Sequence, residues 1–593
     1  MSRIISLLQS PPKSVEILPI DPSLQNIPRR VLNSVFASVP VQPLAAPLDL
    51  VDVSLHALQL LAPSGTILTK QAVMADASFI NVFAGNQSIQ KSSAGVLGWA
   101  HRYWGTQFGN YAGQLGDGAA ALIAQGNEYE VNLKGSGPTP FSRGFDGRKV
   151  LRSSIREYLC SEAMAGLNIP TTRAGSLIVS KSDTVVRDVN YSGRPIREKC
   201  AVVSRIAKTF FRFGSFESND GLESETVKSS LRYCWKNLVA PLATGKPDSS
   251  FIEIVTDRTA YTVAKWQSVG FIHGVMNTDN MSIIADTIDY GPFGFMESFD
   301  PHFVPNTSDK FGKYAFSEQP RVAAWNCKRL QEVLISQLGT LPPDVKFNEF
   351  GVGAEIDVEA FFKQRFEKYY HNCMREKLGL VDQARPADNE FDKILKDMLE
   401  IFDYTAVDYT AAFRAISNLT NENIMETVNL IMETFPSPDR IVTLTSLGLK
   451  ITRQELVEIE EFSRTRLGDL ERAGIDLATL KRWRHKLDRI DRFKSSTDQE
   501  LRKTASDMWS SWLTGLADFL TENSRTRMKE VNPIYIPRQH VLQAAITKAQ
   551  EGDYAEVRRL REIWSMPFTR LEDKHYYEVP DLNDYGVCLS CSS

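Results

Sequence analysis

One short segment contains residue types that could perform chemistry on a nucleotide. It begins at His273 and ends in the pair Asp279 and Asn280, and Asp289 follows nine residues later. A carboxylate can accept a proton, while an amide oxygen and a second carboxylate can hold a hard divalent cation beside phosphate groups. The pattern predicts a nucleotide-dependent transfer reaction, in which a short hairpin joins the two acids.

The usual base of a protein kinase is missing from this segment. A kinase catalytic loop places its base two residues after a histidine and a metal-binding asparagine seven residues after it. Asn280 occupies the second of these positions, but Val275 occupies the first and cannot accept a proton. Asp279 is the only carboxylate in the segment, so we predict that it replaces the base. The alternative is an inactive kinase-like fold whose acids only cap turns.

Composition excludes several classes of function. The net charge is −4 and the isoelectric point is about 6.2, so the chain lacks the general basic field that nucleic-acid partners require. No apolar run reaches the roughly 18 residues that cross a bilayer, and we therefore predict no membrane span.

The cysteines do not predict a disulfide framework. There are seven of them, an odd number, and most are isolated in the chain. Only Cys588 and Cys591 have a spacing with chemical meaning, since a C-x-x-C pair can close a disulfide. A single such pair is weak evidence for zinc. We predict a mobile redox pair.

The first 40 residues resemble a transit segment in part. They contain several serines and basic residues and few acids, which is typical of such segments. Glu16, Pro11, Pro12 and Pro19 weaken the resemblance, because they oppose a clean amphipathic helix.

A glycine-rich stretch precedes a predicted β-hairpin. Glycines are dense over residues 105–118, and two short strands are predicted over residues 119–125 and 129–134, with a turn at Gly126 and Asn127. Glycines at such a place let backbone N–H groups approach phosphate oxygens; the alternative is a set of tight turns.

A lysine and a glutamate are spaced as they are in nucleotide sites. Lys134 ends the second predicted strand, and Glu157 lies in a predicted helix over residues 148–167. Kinases pair such residues to aim the lysine at phosphates. A solvated glutamate is the alternative.

Arg205 and Arg212 form a second basic group among aromatic residues. Seven residues apart, they would share a face on a helix and would lie on opposite faces of a strand. A buried arginine requires an anion, which could be a phosphate or the carboxylate of Glu217 or Asp220.

Several blocks together resemble the selenoprotein O family of kinase-like proteins. The block over residues 273–295 is the most specific of them. The other matching blocks cover residues 108–118, 133–140, 146–162, 204–217, 319–320, 325–326, 532–533 and 591–593.

The resemblance implies an α+β fold: a bilobal protein kinase-like fold with a helical C-terminal extension. Residues 1–40 would form an N-terminal extension, residues 41–225 the N-lobe and residues 226–450 the C-lobe. A helical region over residues 451–593 would end in the C-x-x-C tail.

The resemblance also implies a reaction. ATP would bind in a flipped orientation, and AMP would pass to Ser, Thr or Tyr hydroxyls of protein substrates, with release of pyrophosphate. The alternatives are a non-catalytic nucleotide-binding pseudokinase scaffold and an ordinary protein kinase. The cofactor would be Mg²⁺, with Mn²⁺ as the alternative.

The family motifs assign roles to residues of this chain. Asp279 would be the catalytic proton acceptor, Asn280 and Asp289 the metal ligands, and Glu157 the residue that orients Lys134. The nucleotide-binding positions would be Gly116, Gly118, Ala119, Lys134, Asp146, Gly147, Arg205, Arg212 and Asp289.

Two departures from the family pattern concern the nucleotide site. Ala119 stands where the family usually has arginine, and Thr106 stands where it usually has histidine. A lost cation predicts weaker nucleotide binding, not lost catalysis. Vertebrate relatives carry selenocysteine at the position of Cys591, so Cys588 and Cys591 resemble their redox pair. Eukaryotic relatives are mitochondrial, which predicts that location here, with a cytoplasmic one as the alternative.

Overall fold

The computed structural model describes residues 4–74, 76, 78–89, 96–188, 193–218, 224–243, 249–338, 348–381, 385–571 and 574–578. Within these residues the N-terminal half is built mainly of strands and the remainder mainly of helices, which confirms the predicted α+β class. No helix among them is both long and apolar enough to cross a membrane.

One mixed sheet forms the N-lobe. The strands are β1 (Ile20–Asp21), β2 (Phe36–Pro40), β3 (Leu48–Val53), β4 (Leu97–His101), β5 (Trp104–Gln107), β6 (Asn110–Gln114), β7 (Ala120–Gly126), β8 (Tyr129–Lys134), β9 (Lys149–Val150), β10 (Arg173–Arg187), β11 (Ile196–Ala207), β12 (Phe271–Ile272) and β13 (Gly294–Phe295). The sheet has the order β1-β2-β4-β7-β8-β11-β10-β3, and β9 pairs with β11. The pairs β5–β6 and β12–β13 are separate hairpins.

The helices begin beside this sheet and then build the rest of the molecule. They are α1 (Lys13–Ile17), α2 (Leu55–Gln59), α3 (Lys70–Met74), α4 (Phe79–Phe83), α5 (Leu151–Gly166), α6 (Ser224–Cys234), α7 (Phe251–Val269), α8 (Gln319–Leu338), α9 (Val358–Lys377), α10 (Asp388–Thr405), α11 (Tyr409–Ile416), α12 (Ile424–Met432), α13 (Pro438–Ser446), α14 (Arg453–Arg472), α15 (Leu477–Ser495), α16 (Asp498–Ala517), α17 (Glu522–Val531), α18 (Gln539–Gln550) and α19 (Ala555–Ser565).

The elements predicted around the lysine and the glutamate are present. Strands β7 and β8 pair in antiparallel register, and Asn127 in their turn has a φ of 51°. Asparagine tolerates this left-handed conformation, which tight hairpin turns require. The predicted helix is α5, which begins at Leu151 because Lys149 and Val150 pair with β11 instead.

The predicted short hairpin between the two acids is wrong. A long loop over residues 273–293 connects β12 to β13, and these two strands pair at its base. Within the loop, the N–H of Ile283 donates to the carbonyl of Phe211 at 3.3 Å, and the carbonyl of Met281 accepts from the N–H of Phe213 at 2.8 Å. The apolar run therefore hydrogen-bonds mainly to the segment that carries Arg212, and one internal bond runs from the N–H of Ile284 to Ser282 Oγ at 3.3 Å.

The last helices return to the N-lobe. Helices α18 and α19 pack against α5, and one hydrophobic core includes Tyr158 of α5, Leu542 of α18 and Trp564 of α19. Arg561 of α19 also pairs with the buried Asp52 of β3 at 2.5 Å. The C-terminal helices thus cover the outer side of the helix that carries Glu157.

The first 40 residues contribute to the N-lobe as well. Strand β2 pairs with β4, and Ile4 and Val15 are buried in the two cores on either side of the sheet. The hydroxyl of Ser14 donates to the buried carboxylate of Glu130 in β8. Loss of the first 40 residues would uncover β4.

Candidate active site

Asp289 is the centre of a cluster of three cations. Its Oδ1 accepts from Lys134 Nζ at 2.8 Å and from Arg205 Nη1 at 2.7 Å, and its Oδ2 accepts from Arg212 Nη1. Burial disfavours its ionised form, but the charges of Arg212, Lys134 and Arg205 outweigh that effect and hold its pKa well below the usual range. The structure therefore contains three basic groups that a nucleotide polyphosphate could recruit.

Sheet register brings Lys134 and Arg205 together. Lys134 lies opposite Val203 and Arg205 opposite Asn132, so all four side chains lie on one face of the sheet. The guanidinium of Arg205 donates to Asn132 Oδ1 at 2.8 and 3.2 Å. Asn132 fixes the direction of the arginine.

The helical alternative for Arg205 and Arg212 is wrong. Arg205 lies in β11, and Arg212 lies five residues beyond that strand in extended backbone, with φ −124° and ψ 167°. The turn between them lets both side chains reach the same carboxylate. That carboxylate is not Glu217, which accepts from Thr106 Oγ1 at 3.1 Å, and Asp220 lies outside the described residues.

The predicted contact between Lys134 and Glu157 is present. Lys134 Nζ donates to Glu157 Oε1 at 2.9 Å, and the glutamate side chain is only 4% exposed. The glutamate on helix α5 thus orients the lysine, as the glutamate on the corresponding helix does in kinases.

Asp279 is buried in a 3₁₀ turn over Thr278–Asn280. Gln107 Nε2 donates to its Oδ2 at 3.0 Å, and within the described part of the chain its Oδ1 has no hydrogen-bond partner. Burial raises its pKa to about 6, while Gln107 and Arg212 act in the opposite direction. A proton acceptor that works near neutral pH requires a pKa of this kind.

The β5–β6 hairpin packs directly on the 3₁₀ turn that carries Asp279. The N–H of Thr106 donates to Thr278 Oγ1 at 2.8 Å, and the N–H of Phe108 donates to the Tyr314 hydroxyl at 2.9 Å. A Cβ on Gly105 would lie 2.5 Å from Asp279 Oδ1, so only glycine permits this approach. The hairpin therefore brings the glycine-rich stretch of the N-lobe against Asp279 in the C-lobe.

Asn280 and Asp289 are suited to a hard divalent cation. Asn280 Nδ2 donates to the carbonyl of Val275 at 2.9 Å, which leaves the amide oxygen free to accept. The described residues contain no group of three or more His, Cys, Asp or Glu side chains that could hold a metal alone. Two oxygen ligands from the chain match Mg²⁺, which usually completes its coordination with phosphates and water.

Four of the other predicted nucleotide-binding positions lie in or against the loops around the end of β8. Gly116 has a φ of 118°, and the carbonyl of Ala119 accepts from the N–H of Gly135 at 2.6 Å. A Cβ on Gly118 would lie 2.9 Å from the carbonyl of Phe141, and one on Gly147 would lie 2.2 Å from the carbonyl of Gly137. These close contacts hold the loops beside the end of β8.

Asp146 lies outside the charge cluster. It forms a two-point ion pair with Arg187, in which both distances are 2.7 Å, and its side chain is 40% exposed. A contact with nucleotide would have to compete with Arg187. Cys588 and Cys591 lie outside the described residues.

Sequence reasoning missed three residues that support Arg212 and Asp279. Asp117 Oδ1 lies 3.6 Å from Arg212 Nη2, and the ring centre of Tyr103 lies 4.5 Å from the same guanidinium. Gln107 is the third. Of the three, only Asp117 had a recognisable signal in the sequence, because it lies between Gly116 and Gly118, which were predicted to bind nucleotide.

Comparisons with known proteins agree with this geometry. The family model described as Protein adenylyltransferase SelO matches residues 55–564. The chain is 36% identical to Protein adenylyltransferase SelO, mitochondrial, of Homo sapiens, over 95% of this chain and 85% of the human protein. It is 34% identical to Protein adenylyltransferase SelO-1, mitochondrial, of Danio rerio, over 93% of this chain and 84% of that protein.

A bacterial relative is about as similar. The chain is 35% identical to Protein nucleotidyltransferase YdiU of Xanthomonas euvesicatoria, over 97% of this chain and 98% of the bacterial protein. The family match extends over most of the chain and includes every residue of the charge cluster. The chain belongs to the SelO family of protein adenylyltransferases.

Proposed function

We propose that this protein transfers AMP from ATP to hydroxyl groups of Ser, Thr or Tyr residues in protein substrates. The observation that carries the proposal is the convergence of Lys134, Arg205 and Arg212 on Asp289, with Asp279 held on the same arginine. Arg212 Nη1 donates to the backbone carbonyl of Asp279 at 2.6 Å. One side chain thus links the phosphate-binding cations to the proton acceptor.

In the proposed reaction a substrate hydroxyl oxygen forms a bond to the α-phosphorus. The bond between that phosphorus and the oxygen that bridges to the β-phosphate breaks, and pyrophosphate leaves. The Asp279 carboxylate accepts the hydroxyl proton, and its Oδ1 has no hydrogen-bond partner in the described structure. Lys134, Arg205 and Arg212 would stabilise the negative charge that develops on the phosphates.

Asn280 and Asp289 would hold Mg²⁺ or Mn²⁺ beside the phosphates. The bound ion would neutralise phosphate charge. Glu157 would keep Lys134 in place once Asp289 has exchanged the lysine for that ion.

Labelled ATP tests the proposal. Protein incubated with Mg²⁺ or Mn²⁺ should become labelled from ATP that carries its label at the α-phosphate, and not from γ-labelled ATP. Label from the γ position alone would identify an ordinary kinase. Asp279→Asn should remove nearly all of the label, whereas Asp491→Asn, on the exposed face of α15, should retain it.

A non-catalytic scaffold is the second candidate, and Ala119 and Thr106 favour it because both depart from the family pattern. A scaffold would be stabilised by ATP against thermal unfolding but would form no covalent product with either metal.

We also propose a mitochondrial location and a redox role for Cys588 and Cys591. The eukaryotic relatives are named mitochondrial, and the bacterial ones are equally similar to this chain. A C-terminal fluorescent fusion of the whole chain that remained diffuse in the cytosol would contradict the location. Alkylation with a mass tag, before and after mild oxidation, should show the two thiols disappear together.

A further inference from the structure

Within the described residues, Lys149 is a cation beside the proposed nucleotide site that has no carboxylate in contact with it. Lys149 lies in β9 and is partly buried, and among the described residues its ammonium has no hydrogen-bond or ion-pair partner. Its basic neighbours are all satisfied. Arg148 Nη2 donates to the carbonyl of Pro43 at 2.7 Å, and Arg152 forms a two-point pair with Glu198 at 3.0 Å.

Lys149 borders the phosphate-binding cluster. A Cβ on Gly135 would lie 3.1 Å from the Cβ of Lys149, and Gly135 is also the residue that hydrogen-bonds to Ala119. The charges that act on its ammonium are Lys134 of β8, Glu157 and Arg152 of α5, and Asp289 of the long loop. Lys149 thus borders Gly135, which follows Lys134 and hydrogen-bonds to Ala119, the position where the family usually has arginine.

An unpaired cation in such a place carries a free-energy cost. Burial, followed by repulsion from Lys134, lowers the pKa of Lys149 to about 8. A bound anion would remove this cost, and the proposed function supplies one as the polyphosphate of ATP.

We propose that Lys149 binds the β- or γ-phosphate of the nucleotide and supplies the cation that Ala119 lacks. The α-phosphorus must lie beside Asp279, where the substrate hydroxyl loses its proton. Along β11, Lys149 pairs with Ala201 and Lys134 with Val203. Arg212, which donates to the carbonyl of Asp279, lies beyond the C-terminal end of that strand. Lys149 therefore lies on the side of the pyrophosphate that leaves.

Equilibrium binding of AMP, ADP and the non-reactive analogue α,β-methylene-ATP, each with Mg²⁺, tests this proposal. We expect Lys149→Gln to weaken binding of the analogue roughly ten- to a hundredfold, because a charge-assisted contact to the outer phosphates is lost. The affinity for AMP should change little. Lys149→Arg should retain most of the affinity. Ala119→Arg in the Lys149→Gln background should restore part of it.

Two further measurements separate phosphate binding from a structural role. Lys208→Gln, at an exposed end of β11, should leave all three affinities unchanged. The Lys149→Gln protein without nucleotide should be at least as stable as wild type, since the substitution removes an unpaired charge. Equal weakening of AMP, ADP and the analogue, or unchanged affinities, would overturn the proposal. These binding data do not require catalysis, so failure of AMP transfer would leave them interpretable.

Discussion

Asp289 adopts a backbone conformation that non-glycine residues rarely adopt. Its φ is 59°, in the left-handed region, and such strain persists where the surroundings fix the residue. Lys134, Arg205 and Arg212 provide that fixation through both carboxylate oxygens. The same three contacts must be exchanged when a nucleotide arrives.

Replacing Asp289 tests how much stability this carboxylate provides by neutralising Lys134, Arg205 and Arg212. Asp289→Ala should lower the free energy of unfolding by about 3–5 kcal/mol, because it leaves buried cations uncompensated. ATP without metal should stabilise the variant more than wild type, since the cations no longer prefer the carboxylate. Thermal unfolding with and without ATP measures both effects. Asp491→Ala, which removes an exposed ion pair, should cost less than about 1 kcal/mol.

Glu130 should make stability depend on pH. Burial raises its pKa from 4.5 to about 7, although the Ser14 hydroxyl opposes the shift. The folded state therefore holds the proton more tightly, and the stabilisation is complete below pH 4.5 and is lost as the pH rises through about 7.

The variant Glu130→Gln should match wild type near pH 4.5 and exceed it at pH 8 by on the order of 3 kcal/mol. Urea unfolding across this range measures the difference. Glu128→Gln, in the exposed turn of the same hairpin, should follow wild type at every pH. A constant difference between Glu130→Gln and wild type would contradict the assignment.

At the scale of elements, the β5–β6 hairpin contacts Asp279, the proposed proton acceptor, and sets its position. Gly105→Ala would place a methyl group 2.5 Å from Asp279 Oδ1, so the hairpin or the turn must move. We expect kcat to fall about a hundredfold while ATP affinity changes little, since a displacement of about 1 Å is enough for such a loss. Asn110→Ala, at the exposed tip of the same hairpin, is the control. Wild-type turnover in Gly105→Ala would show that the contact does not matter.

Local sequence patterns predicted some secondary-structure elements and could not predict contacts between distant parts of the chain. The β7–β8 hairpin and helix α5 follow from turn residues and apolar spacing within short windows. The partner of Arg205 and Arg212 could not be found this way, because Asp289 lies 84 and 77 residues away from them in sequence. The prediction of a short hairpin was wrong for a related reason, since the apolar run after Asn280 hydrogen-bonds to the distant segment that carries Arg212.

The candidate site also contains residues that the sequence predicted and residues that it could not predict. Residue types and motif spacing predicted Asp279, Lys134 and Asp289 as members of one site. In the structure Lys134 and Arg212 both contact Asp289, and Arg212 also donates to the carbonyl of Asp279. Gln107 carried no local signal, because its importance depends on how a hairpin of one lobe meets a turn of the other. Sheet register decided the role of Asn132.

For the whole molecule, the contact between α19 and the N-lobe has a testable energetic role. Arg561 pairs with Asp52, which also accepts from the Tyr158 hydroxyl of α5 at 3.1 Å. Arg561→Ala should cost about 3 kcal/mol, because a buried carboxylate loses its counter-charge. AMP transfer should fall as well, since α5 carries Glu157. Asp52→Asn combined with Arg561→Ala should recover much of the stability, and strictly additive losses in the double variant would contradict the coupling.

The packing of α18 and α19 on α5 also has a consequence for biosynthesis. The outer surface of α5 is covered by helices that leave the ribosome only after more than 550 residues have been made. The N-lobe of a nascent chain therefore lacks part of its core until these helices have been made, and its apolar surface is exposed during that time. A chain whose synthesis stops before α18 and α19 would lack the helices that pack on α5, so competence for nucleotide chemistry should arise only after both helices have been made.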